Sequence, residues 1–95
     1  MDKYLPIGSV VLLKGAEKKI MIIGILQEET PKDEKESPMS WDYIGVMYPY
    51  GFTGVEELLV FNHDSIDSVF ATGYTNNEYL EFRQELEEYL KEKSE

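Results

Sequence analysis

Three short runs rich in Val, Ile and Tyr, each bounded by Gly or Pro, restrict this chain to a small curled β-sheet. The first is Gly8-Ser9-Val10-Val11-Leu12-Leu13-Lys14-Gly15, in which Ser9 to Leu13 has the length and β-branching of a buried strand. Residues 15–18 are short and polar and form a hairpin turn into the second run, Lys19 to Gln27. That run holds four isoleucines and one glycine, Gly24, the position for a bulge or bend that lets a sheet curl. In the third run, period-two counting puts Trp41, Tyr43 and Gly45 on one face and Ile44, Val46 and Tyr48 on the other. Large residues on both faces mean a strand covered on two sides or wound into a tight barrel. Pro49, which cannot donate to a central ladder, ends it.

From Glu28 to Ser40 the composition turns to Glu, Lys, Asp and Ser with two prolines, a charged mobile loop and not a linker, since the strand pattern resumes at once. Tyr50-Gly51-Phe52-Thr53-Gly54 is an aromatic, glycine-containing loop, and Leu58 to Asn62 is a fourth strand. His63-Asp64-Ser65 is a tight polar turn, of one helical turn at most, with Asn62 or Asp64 bonding its own backbone. A fifth strand starts at Ile66 or Ser68 and runs to Thr72, ended by Gly73. Thr75-Asn76-Asn77-Glu78 has the form of a capping box, and it opens a helix. Tyr79, Phe82, Leu86 and either Tyr89 or Leu90 make the apolar stripe, and Glu81, Glu85, Glu87, Glu88 and Glu92 take the other faces. The expectation is one mainly β (α+β) domain over residues 1–95: an SH3-like curled β-barrel of about five antiparallel strands, an acidic loop and a C-terminal amphipathic helix. The barrel spans residues 5–74, the loop 28–40 and the helix 76–93. A flat antiparallel sheet covered by the helix is the alternative.

Nineteen acidic against nine basic residues give a net charge of −10, which repels nucleic-acid phosphates and anionic lipid. It favours solubility or docking onto a basic partner. With no cysteine there is no disulfide framework, thiolate metal site or cysteine nucleophile. The longest apolar stretch, Ile20 to Leu26, is far below the ~20 residues of a spanning helix. Met1 to Pro6 lacks the pattern of a signal peptide, so a cytoplasmic location is expected.

Catalytic patterns do not accumulate. His63 is the only histidine, and Asp64 beside it in a turn is badly placed to orient it; His63 reads as a turn residue. The carboxylates fall on solvated faces, and neither a calcium loop nor a phosphate loop is present. Neither enzyme activity, nor a metal, nor a cofactor is expected. Lys14, Lys18 and Lys19 are the one basic cluster and guard a hairpin edge. The best surface candidates are Tyr48, Tyr50 and Phe52, with Tyr89 near the helix end. These rings either anchor an interface or cover the mouth of their own barrel.

The chain resembles the bacterial domain-of-unknown-function family 4176. The resemblance rests on Leu5-Pro6-Ile7-Gly8-Ser9-Val10-Val11-Leu12-Leu13-Lys14-Gly15 and Lys19-Ile20-Met21-Ile22-Ile23-Gly24. It continues through Trp41-Asp42-Tyr43-x-Gly45-Val46-x-Tyr48-Pro49-x-Gly51 and Phe61-Asn62-His63-Asp64-x-Ile66-x-x-Val69-x-x-x-Gly73-Tyr74. Similar proteins occur in Gram-positive bacteria at type VII secretion loci, beside polymorphic toxins with LXG-type export domains. The resemblance implies a cytoplasmic accessory protein that binds such a toxin as chaperone or targeting adaptor. An immunity protein that neutralises a toxin domain is the competing expectation. The resemblance carries over no functional residues.

Overall fold

Each expected apolar run is an extended strand in the computed structural model, which describes residues 4–29 and 39–94. β1 (Val10–Leu13) and β2 (Ile20–Glu29) form a hairpin, β3 (Met39–Met47) pairs with β2, and β4 (Leu59–Phe61) pairs with β3. β5 (Ile66–Ala71) returns to the far side of β1, giving the antiparallel order β4-β3-β2-β1-β5. Helix α1 (Asn77–Ser94) follows. The mainly β fold with a C-terminal helix is as expected, with one qualification. β4 and β5 remain edges, and no ladder joins them among the described residues, so the curled sheet is a loose and unclosed barrel.

β2 and β3 run further than the sequence pattern indicated: beyond Gln27 and Trp41, Glu28 pairs with Ser40 and Glu29 with Met39. These residues at the ends of the expected acidic loop therefore belong to the ladder, and residues 30–38 lie outside the described residues. Two devices bend β2. Its register shifts between Ile22 and Gly24, where a Cβ on Gly24 would stand 2.7 Å from Cγ2 of Ile44 on the neighbouring strand. Gly24 is thus the space that Ile44 occupies. Leu26 adopts a left-handed backbone with φ 53°, which breaks the alternation of sides. Consecutive residues Ile25 and Leu26 consequently both pack against the core. Burying a second large aliphatic side chain offsets the ~1 kcal/mol that this conformation costs.

The core gathers Tyr4, Val11, Ile20, Ile22, Tyr43, Phe61 and Leu86. Gly45 is in β3 because a Cβ there would press on Cγ2 of Ile20 and on the Met21 carbonyl oxygen. The opposite face is apolar as well. Val10, Met21 and Val46 stand in register across three strands, and Ile44 faces Val60. Val46 is only 4% exposed although it is outside the main core, which bears out the reading of β3 as a strand with two large faces.

The segment before β1 is tied in from both sides. Gly8 N–H donates to the Ile22 carbonyl at 2.7 Å, and Ile22 N–H donates to the Ser9 carbonyl at 2.9 Å. Ser9 is fully buried; its hydroxyl donates to the Pro6 carbonyl (2.7 Å) and accepts from Gly73 N–H (3.0 Å). Gly73 lies so close to the backbone of Ile7 that no side chain fits between them.

Two local expectations for α1 are corrected. Asn76, not Thr75, is the N-cap: its side-chain oxygen accepts Tyr79 N–H at 3.0 Å, and its carbonyl accepts Leu80 N–H. The buried stripe is Tyr79, Arg83, Leu86 and Leu90, while Phe82 and Tyr89 lie on its exposed flank. Arg83 is half-buried there, with its guanidinium 5.8 Å from the Tyr79 ring centroid.

Candidate interaction surface

Pro49 closes β3, and the chain turns through Tyr48–Gly51 with a cis Tyr48-Pro49 bond. Tyr48 N–H donates to the Lys19 carbonyl at 2.9 Å, and Gly51 N–H donates back to the Met47 carbonyl at 2.8 Å. Gly51 sits at φ 79°, a conformation open to glycine at little cost. This pinned turn holds large rings out of the core: Tyr48 is 47% exposed, Tyr50 65% and Phe52 64%. Val55, at the start of the 3₁₀ turn Val55–Glu57, is exposed beyond them. The alternative of rings covering the mouth of their own barrel does not fit these exposures.

The hairpin between β1 and β2 completes the surface. The Lys18 ammonium lies 5.6 Å from the Tyr50 ring centroid, and the Lys19 ammonium 4.7 Å from that of Phe70, within the range of cation–π attraction. Phe70 is on the edge strand β5 and is 56% exposed. Tyr48, Tyr50 and Phe52 therefore share one end of the sheet with Lys18, Lys19 and Phe70. Tyr89 is elsewhere: its hydroxyl donates to the Glu28 carboxylate at 3.3 Å, at the other end of β2 from Lys19. Phe70 escaped the sequence reading because the β1–β5 ladder shifts register twice, so alternation does not report which side of β5 is wet.

Away from this surface, midway along β3, lies a polar network that local motifs did not reveal. Asp42 accepts His63 N–H at 2.8 Å and the Tyr4 hydroxyl at 3.4 Å, and Asp42 N–H donates to the Asn62 side-chain oxygen at 3.1 Å. Asn62 thus serves the neighbouring strand and not its own turn, as had been expected. The fully buried Tyr43 hydroxyl accepts Leu5 N–H at 2.9 Å and lies 2.8 Å from His63 Nδ1. Donation from the hydroxyl to Nδ1 satisfies both groups and leaves the proton of a neutral ring on Nε2. Tyr79 adds the helix, its hydroxyl donating to the Tyr4 carbonyl at 2.9 Å. His63 is a turn residue, as read from the sequence, opening the 3₁₀ turn His63–Ser65. Its partner across the sheet is β3.

Burial pushes the Tyr43 phenol up to about 12, with the Asp42 carboxylate adding to the effect and the Leu5 N–H opposing it. The folded state therefore holds this proton more tightly than the unfolded chain, whose tyrosines titrate near ~10. Stability that depends on the protonated phenol is complete below about pH 10 and is lost as the pH rises toward about 12. A titration of tyrosinate absorbance alongside urea unfolding should show one of the seven tyrosines ionising last, with the domain losing stability over the same pH range. Ionisation of all seven tyrosines together near about pH 10 would contradict this account. Among the described residues, no group of three or more His, Asp or Glu is placed to hold a metal, and no helix is long and apolar enough to cross a membrane.

The family model for DUF4176, a domain of unknown function, matches residues 4–82, which comprise the whole sheet and the first turns of α1. No curated protein and no solved structure matches the chain.

Proposed function

We propose, for a chain that belongs to the DUF4176 family, that it is a non-enzymatic accessory protein. In this reading it binds an LXG-type polymorphic toxin in the cytoplasm as a chaperone or targeting adaptor for type VII secretion. The observation that carries the reading is the surface at one end of the sheet, where Tyr48, Tyr50 and Phe52 stand exposed on a hydrogen-bonded turn. Rings held out by a pinned backbone lose little freedom on binding and bury large areas, which is how interface anchors work. The action is stoichiometric: a segment of the toxin is covered until the export machinery receives it.

The test is co-expression with an LXG toxin, followed by affinity purification at moderate and high salt. The expected result is a stoichiometric complex with the toxin's export domain, unaltered toxin activity, and loss of the complex on Tyr50→Ala with Phe52→Ala. An immunity role is the second reading, favoured by the net charge of −10, which suits a basic toxin domain. Binding to the toxin's catalytic domain with loss of its activity would establish that role in place of the first.

A further inference from the structure

We propose that the aromatic end of the sheet takes an acidic segment of its protein partner, one that carries apolar side chains between its carboxylates. The inference rests on the binding role just given to this surface and specifies the chemistry of what binds. From residue 36 to residue 82 the sequence has no lysine or arginine, so the positive charge beside these rings comes from the β1–β2 hairpin. Lys18 and Lys19 sit in a chain with nineteen carboxylates, yet neither has an ion-pair partner among the described residues. Their ammonium groups lie over Tyr50 and Phe70 instead.

An ammonium resting on a ring presents its remaining N–H donors to solvent, and a partner carboxylate can accept them without displacing the ring. Carboxylates on the partner meet Lys18 and Lys19, and the apolar side chains between them cover Tyr50, Phe52 and Phe70. A basic segment would meet like charge at this place. An acidic segment docking anywhere else would meet the field of a chain at −10. Glu17, Asp67 and the pair Glu56 and Glu57 stand in or beside the same stretches, so the two ring-bound ammonium groups, and not the summed charge of the patch, select the ligand and the site.

The test uses the full chain, isotope-labelled for amide NMR, with three synthetic peptides. One carries Asp and Glu around a Leu-Trp pair; the second replaces them with Asn and Gln, the third with Lys. The acidic peptide should bind, with amide shifts confined to residues 14–19, 48–55 and 66–71. Lys18→Gln combined with Lys19→Gln should weaken it about tenfold, as should the change to Asn and Gln, since two exposed charge pairs are worth that much together. The amide spectrum of the double variant reports whether it is folded. No binding, equal binding of the Asn/Gln peptide, binding of the Lys peptide at these residues, or shifts centred on α1 would each overturn the inference. Toxin capture by the double variant separates the two proposals. Capture at wild-type strength, lost only with Tyr50→Ala and Phe52→Ala, would keep the adaptor role and overturn the acidic segment. Acidic-peptide binding at this site without toxin capture would do the reverse.

Discussion

Gly73→Ala should cost more than about 3 kcal/mol, over half of the roughly 5 kcal/mol that holds a domain of this size folded. The added Cβ would run into the carbonyl oxygen of Ile7 and crowd Ser9 N, atoms of backbone that cannot rotate away. Gly8 packs against Gly73 from the other side, so the two segments cross with no side chain between them. Moving them apart also separates Gly73 N–H from the buried Ser9 hydroxyl, which then loses an interaction it cannot replace with water. Gly15→Ala is the internal control. Gly15 has φ 78° but no atom near its Cβ position, so the cost there is conformational and about 1 kcal/mol. Urea unfolding followed by circular dichroism measures both. Equal midpoints for the two variants would mean that the crossing has more room than its geometry states.

Removing the Tyr43 side chain is the second large effect, and it divides into two parts. Tyr43→Ala should cost about 4 kcal/mol through the cavity left among Tyr4, Phe61 and the aliphatic core. Tyr43→Phe keeps the ring and removes only the hydroxyl. It strands Leu5 N–H and His63 Nδ1, for about 2 kcal/mol in all, because His63 is half-buried and recovers part of its loss from solvent. A second consequence separates the hydroxyl from the ring. In Tyr43→Phe, the late-ionising tyrosine should vanish from the alkaline titration while the fold persists at neutral pH. A phenylalanine variant as stable as the parent would show that the Leu5 N–H is satisfied in another way.

Much of the fold was legible because it is written locally. β-branched runs closed by Gly and Pro announced the strands, and the spacing of apolar residues announced α1. What was not legible depends on partners far apart in the chain. Asp42 is the one carboxylate inside the Trp41–Tyr48 run, a hint of a buried role, but nothing near it names His63, 21 positions away. At the start of α1, Thr75, Asn76 and Asn77 are three adjacent residues able to cap, and only the entry angle of the chain selects Asn76. Steps of three and four admit Phe82 or Arg83 to the helix stripe, and packing against Tyr79 decides for Arg83. The candidate surface was half legible. The exposed rings follow from a Pro- and Gly-bounded turn, whereas the lysines laid upon Tyr50 and Phe70 follow from strand order.

The stitching of residues 4–9 to residues 73–79 also dictates when this domain can exist. Tyr4 and Tyr79 are 75 positions apart, and Ser9 and Gly73 are 64 apart. During synthesis, residues 4–9 emerge ahead of Gly73 and Tyr79 and wait, their buried contacts unavailable until those residues have followed. β1 waits with them for its second partner, β5. The nascent chain thus holds an incomplete sheet with an open apolar edge until residue 79 has emerged, and only then can β1 and the segment before it be covered.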